Sequence, residues 1–149
     1  MLQVSGLGIG PLRKAGRQES CPTILEHEDL TGRIIGAAIE VHRHLGPGFL
    51  ESIYENALMV ELRHRRIAFA RQLAVPIVYQ GVEVGLHRLD LLVEDQIVVE
   101  LKAIKELTPT HFAIVRSYLN AVGRNHGLIL NFTKPKLDLN RVLASPSPD

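Results

Sequence analysis

The side chains best placed to do chemistry lie in one stretch, Leu-Asp-Leu-Leu-Val-Glu-Asp-Gln-Ile-Val-Val-Glu-Leu-Lys, from Leu89 to Lys102. Two apolar, β-branched-rich runs flank the polar Glu94-Asp95-Gln96, the pattern of a β-hairpin. Side chains alternate faces along a strand, so the apolar pattern fixes the register. Val93 opposite Ile97 sets Leu91 against Val99 and Leu89 against Leu101, giving one apolar face. The same register puts Asp90 across from Glu100, with Arg88 opposite Lys102. It predicts a three-residue loop without the usual glycine. Directly opposed like charges destabilise a sheet, so Asp90 and Glu100 need an offset. Arg88 and Lys102 supply one in a four-charge surface cluster. A divalent cation held by both carboxylates, with Lys102 beside it, supplies the other. Hard cations such as Mg²⁺ take one or two carboxylates plus water and substrate phosphate.

The remaining elements must position these groups. The spacing of Leu30, Ile34, Ala38, Val41 and Leu45 predicts a helix over residues 28–45, capped by Asp29 or Thr31. His42 and His44 fall near its C-terminal end, where they are read as solvated groups favoured by the helix dipole. Gly46-Pro47-Gly48 breaks the chain. A second helix follows from Phe49 or Leu50 to about Arg65, with Leu50, Ile53, Ala57, Leu58 and Leu62 as its apolar side. Glu51 and Tyr54 stand three apart on one face. Glu51 is in the first turn, where an acid also suits the dipole. Arg63, His64, Arg65, Arg66 and Arg71 make a basic patch at the far end, read by default as a solvated helix end. Ala68 to Tyr79 reads as one bent or two short strands interrupted at Pro76, and Val82 to Val93 as the next. Thr108-Pro109 opens a third helix that runs to about Val122 and stops at Gly123. His126 to Phe132 is a short buried strand. A strand, helix and strand in that order predict a parallel pair.

At 149 residues the chain is expected to form one domain. Its formal net charge of +1 points neither toward nor away from nucleic acid, so phosphate binding must come from local patches. One cysteine, Cys21, excludes a disulfide within the chain and favours a reducing, cytoplasmic setting. No apolar run approaches the roughly 20 residues of a membrane span. Residues 1–24 read as a disordered leader or an artefact of an upstream start, and residues 144–149 as a frayed tail. No Gly-rich phosphate loop with a following Lys-Ser/Thr is present, which argues against an NTPase.

The order helix, helix, three-strand meander, helix, strand, with Asp90 on one strand and Glu100-Leu101-Lys102 on the next, resembles the PD-(D/E)XK nuclease superfamily. Gly48-Phe49-Leu50-Glu51-Ser52-Ile53-Tyr54 matches the motif that names its GxxExxY family. The Leu45-Gly46-Pro47-Gly48 turn, Arg88-Leu89-Asp90-Leu91-Leu92-Val93, Val99-Glu100-Leu101-Lys102-Ala103 and Leu107-Thr108-Pro109 are similar to that family as well. The resemblance spans about Leu25 to Leu143, so a single domain is expected over residues 25–143. It implies a restriction-endonuclease-like α/β fold, a mixed sheet flanked by helices. It also implies Mg²⁺, with Mn²⁺ as a substitute, bound by Asp90, Glu100 and Glu51. By motif position Asp90, Glu100, Lys102 and Glu51 are the catalytic set, with Lys102 positioning or polarising the attacking water. Tyr54 lies beside Glu51 and would orient it. Similar proteins often carry a Gln four residues before the tyrosine that falls here at Tyr118; this chain has Ile114.

The expected function is Mg²⁺-dependent hydrolysis of phosphodiester bonds in nucleic acid, DNA before RNA, with Arg88 as a candidate substrate contact. A bound cation would neutralise charge on the scissile phosphate and lower the pKa of a water. The alternative, motivated by Ile114 and the modest charge, is a nucleic-acid-binding or protein-interaction module that keeps the fold without turnover. A third reading is a subunit that completes its groove as a homodimer.

Overall fold

The computed structural model describes residues 4–5 and 26–145. The expected leader, apart from Val4 and Ser5, and the tail from residue 146 lie outside the described residues. In chain order the elements are β1 (Val4–Ser5), α1 (Glu28–Leu45), α2 (Glu51–His64), β2 (Phe69–Tyr79), β3 (Val82–Val93), β4 (Ile97–Lys102), α3 (Pro109–Val122), β5 (His126–Asn131) and β6 (Asp138–Leu143). The strands form one sheet in sequential order. All neighbours are antiparallel except β4 and β5, which the α3 crossover makes parallel as expected. This is a restriction-endonuclease-like mixed sheet flanked by helices. β6 was not anticipated. Its polar Asp138, Asn140 and Arg141 hide the strand, and only Val142 is buried.

Two apolar clusters separate the layers. On one face Ile34, Ala38 and Val41 of α1 and Tyr54, Leu58 and Leu62 of α2 pack on Leu91, Val93, Val99 and Leu101. On the other, Val115, Leu119 and Val122 of α3 pack on Leu92, Val98 and Ile129. Gly127 lets α3 come close: a Cβ there would stand 3.0 Å from Val115 Cγ1. Ala144 is buried and its N–H donates to Asn125 O at 2.9 Å, so the packing reaches one residue into the expected tail.

Helix boundaries follow the sequence closely, but several local readings change. The N-cap of α1 is His27 in the left-handed region at φ 57°, not Asp29 or Thr31. His42 is buried rather than solvated. Its Nε2 lies 2.8 Å from Lys134 O and its ring packs on Phe132. Helix α2 begins at Glu51, and Leu50 and Ile53 are exposed. Leu58 and Leu62 face inward as expected, joined by Tyr54, which stacks on Phe132 at 4.5 Å between centroids. Strand β2 is continuous through Pro76, with the irregularity falling between Ile77 and Val78. The basic patch is partly consumed internally: Arg65 pairs with Glu61 at 2.8 Å, Arg71 with Glu55 at 3.6 Å, and Arg63 lies over Phe69. Beyond the Val75–His87 pair the β2–β3 ribbon leaves the core, with Val78, Tyr79, Val82, Val84 and Leu86 all exposed.

Candidate active site

The hairpin register is the expected one where the ladder exists: Val93 opposite Ile97, Leu92 opposite Val98, Leu91 opposite Val99. The loop carries Glu94 at φ 51° and Asp95 at φ 56° without glycine, and Arg124 ties Asp95 down through its backbone and carboxylate oxygens. Past Leu91 the backbone ladder stops and carboxylates take over. The N–H of Asp90 donates to Glu100 Oε1 at 3.2 Å, and the N–H of Leu101 donates to Asp90 Oδ2 at 2.9 Å. Facial alternation also breaks there, since Leu89 joins the α3-side cluster whereas Leu91 belongs to the other. The expected Leu89–Leu101 contact across one apolar face therefore does not form. On the other edge, Gln72 adopts φ 49° between the Arg71–Leu91 and Leu73–Leu89 pairs, so β2 yields at the same level. The gap between β3 and β4 is a built feature of both strands.

The four-charge surface cluster is absent. With the ladder ended, Arg88 no longer faces Lys102; it is exposed and its Nη1 donates to Gln72 O at 3.3 Å. Among the described residues no cationic nitrogen comes within ion-pair distance of Asp90 or Glu100. One oxygen of each carboxylate accepts a backbone N–H, and the second oxygen of each accepts no hydrogen bond from any described residue. Burial, and then the charge of Asp90, pushes Glu100 up to about 8. Burial pushes Asp90 up to about 6, with Glu55 and Glu51 adding to the rise while the Leu101 N–H and Lys102 oppose it. Two adjacent carboxylates, one buried and one half-buried, cannot both ionise cheaply, and the pair titrates as a unit. A donor set of this kind, with two oxygens directed away from the protein's own donors, suits a hard divalent cation.

The second helix brings its acids to the same gap. Glu51, at the first turn of α2, is half-buried; desolvation raises its pKa and Lys102 opposes the rise. Its placement comes from the turn before it. The Tyr54 hydroxyl donates to Gly46 O at 2.6 Å and accepts from Phe49 N–H at 3.2 Å. Tyr54 thus holds the Gly46–Phe49 turn rather than Glu51 itself. Glu55, one turn on, escaped the sequence reading, although its i, i+4 spacing from Glu51 was a usable signal. It is buried, accepts both Gln72 Nε2 contacts at 3.2 and 3.0 Å, and adds negative field at Asp90. From the other layer Tyr118 lies close enough that burial and then Glu100 and Asp90 raise its hydroxyl pKa. Its ring meets His87 edge-on at 4.9 Å. Ile114, one turn earlier, is exposed. Lys102 is fixed through its backbone: its carbonyl accepts from Phe132 N–H at 2.9 Å, and buried Asn131 clamps Ile104 through both backbone groups.

Glu51, Asp90, Glu100 and Lys102 are therefore electrostatic neighbours, with Tyr118 beside the dyad and Tyr54 and Arg88 engaged elsewhere. A second group of potential ligands, unforeseen from sequence, is Glu26, His27 and His126, whose donor atoms lie within 4.8 Å of one another.

No curated protein matches the chain. Among solved structures, the crystal structure of SSO0001 superposes with a TM-score of 0.51 at 16% identity, over 85% of this chain and 63% of that one. The chain thus spans less than two thirds of that relative's length. The crystal structure of an alkaline exonuclease, LHK-Exo, from Laribacter hongkongensis aligns with a TM-score of 0.48 at 10% identity, over 85% of this chain and 74% of that one. No helix among the described residues is long and apolar enough to cross a membrane. The sequence matches a family of the PD-(D/E)XK nuclease superfamily over residues 28–142, and with the split strands, the carboxylate pair and the neighbouring lysine in place, the chain belongs to that superfamily.

Proposed function

We propose that this chain is a Mg²⁺-dependent nuclease of the GxxExxY type, with Asp90, Glu100 and Glu51 as the cation's ligands and Lys102 as the cationic group beside the reacting water. The observation that carries the reading is the Asp90–Glu100 pair, Glu100 buried and Asp90 half-buried, which has no cationic partner among the described residues. A charged pair left this way is costly unless something binds it. When bound, the cation would polarise the scissile phosphate and acidify a water. The chain's own groups do the rest. Backbone N–H donors hold one oxygen of each carboxylate and so orient the other toward the gap. Among the described residues Lys102 forms no short ion pair, which leaves its ammonium available to a nucleophilic water or to charge developing on phosphate. Glu51, presented by the Tyr54-clamped turn, completes the acidic wall. Tyr118 borders the dyad from the α3 side, and Arg88, exposed while its Nη1 holds Gln72 O, is the candidate contact for substrate phosphate. DNA is the first substrate to try, and a reducing cytoplasm the proposed setting for a chain with a single cysteine.

Purified protein with Mg²⁺ or Mn²⁺ is expected to cleave supercoiled plasmid, and Asp90→Ala or Lys102→Ala to abolish it. Cleavage that survives both substitutions overturns the assignment. Exposed Ile114 on α3 motivates the competing reading, a nucleic-acid-binding module without turnover. Calorimetric titration separates the two, because the nuclease requires binding at millimolar Mg²⁺ that Asp90→Ala removes.

A further inference from the structure

The far end of the sheet holds a different set of donors. His126 opens β5 opposite Ile97, whereas Glu100 of the carboxylate gap stands opposite Ile129. The three-residue separation along β5 is about 10 Å. His126 is buried, and its Nε2 stands 3.4 Å from Glu26 Oε2. The His27 ring meets the His126 ring edge-on at 5.1 Å between centroids. Ligand-capable atoms of all three residues lie within 4.8 Å of one another.

We propose that Glu26, His27 and His126 form a second cation site, for a transition metal of the Zn²⁺ class, which fastens the start of α1 to the end of the sheet. Two imidazoles and one carboxylate are a donor set that Zn²⁺ accepts, with a water in the fourth place. They suit Mg²⁺ poorly, since that ion prefers oxygen. One pair of donor atoms already has the spacing. Bonds of about 2.0–2.1 Å to a tetrahedral ion put neighbouring ligand atoms about 3.3 Å apart, close to the 3.4 Å between His126 Nε2 and Glu26 Oε2. As a hydrogen bond that distance is long, beyond the usual 2.7–3.2 Å of N–H···O. His27 is the N-cap residue of α1, and its side chain makes no capping bond to the helix.

The proposal is independent of the nuclease reading, and the test keeps them apart. The full chain carrying Asp90→Ala is titrated with Co²⁺, which gives visible absorption of tetrahedral type when bound by nitrogen and oxygen donors, and then with competing Zn²⁺. One equivalent of Co²⁺ is expected, displaced by Zn²⁺, with Tm raised about 5–10 °C at a hundredfold excess of Zn²⁺ over Kd. Glu26→Gln changes a part-exposed side chain, and His27→Asn supplies a residue at ease in the left-handed region. Each should weaken Zn²⁺ at least tenfold without changing Tm in chelator. Absence of the tetrahedral spectrum, or Zn²⁺ affinity unchanged by both substitutions, overturns the proposal.

Discussion

Asp90 and Glu100 each lend a carboxylate oxygen to the other's strand: Glu100 accepts the N–H of Asp90, and Asp90 accepts the N–H of Leu101. The side chains continue the pairing where the backbone ladder has ended. Strand separation and acid placement are one device, because the bonds that keep the gap from closing also aim the remaining oxygens into it.

Asp90→Asn should therefore split structure from chemistry. The amide oxygen can still accept from Leu101, so thermal stability is expected to stay within about 1 kcal/mol. Loss of the negative ligand should lower the cleavage rate by at least about 100-fold and abolish Mg²⁺ binding. Plasmid nicking rates and calorimetry on the same preparation check both halves.

Glu100 makes the metal-free protein weaker as pH rises. Its pKa stands at about 8 in the fold against an ordinary 4.5. Between those values the native state holds the proton and the unfolded chain has lost it, so stability is full below about pH 4.5 and declines through pH 8. Glu100→Gln should flatten this slope and stabilise the metal-free protein at pH 8, by on the order of 2–4 kcal/mol. Saturating Mg²⁺ should act in the same direction on the unmutated chain. Urea unfolding from pH 5 to 8.5, with and without chelator, provides the reading.

By the same linkage, cation binding must displace a proton from the dyad at neutral pH. Mg²⁺ affinity should climb from pH 6 to pH 8 and level off above it. Calorimetry at pH 7 in buffers of different ionisation enthalpy should detect the released proton.

Lys102→Arg tests whether a compact ammonium is needed rather than charge alone. Lys102 makes no short ion pair among the described residues, so stability should change by less than about 0.5 kcal/mol. A planar guanidinium cannot occupy the same place as a point cation, and cleavage should fall at least tenfold while Mg²⁺ affinity is kept.

Tyr54→Phe removes the hydroxyl that bridges Gly46 O and Phe49 N–H. The expected loss is about 1–3 kcal/mol from backbone groups left without that partner. Cleavage should drop as well, because the turn that presents Glu51 loosens. Urea unfolding and Mg²⁺-dependence of the rate would separate the two effects.

The hairpin, the helix limits and the parallel β4–β5 pair were legible because periodicity and turn residues act locally. Thr108-Pro109 did start a helix, with His111 closing the capping box. The alternation rule held from Leu91 to Val99 and failed at Leu89, because left-handed Gln72 across the pair is a property of two strands together. Burial of His42 depends on Lys134, 92 positions away, and no local pattern could reveal it. Tyr54 was singled out by its motif but given the wrong partner, since stacking on Phe132 fixes which way its hydroxyl points. Glu55 was overlooked because a lone acid on a helix reads as solvated until Gln72 and Arg71 close over it.

The β2–β3 ribbon, with Val78, Tyr79, Val82, Val84 and Leu86 outside the core, gives the molecule a gradient of opening. Two strands without a third layer hold little free energy of their own, so amide protons at the tip should exchange orders of magnitude faster than those of Leu91 to Val93. Val75 and His87, packed against the α3 side, hold the base of the ribbon, so bending beyond them would swing a greasy arm without disturbing the acids below.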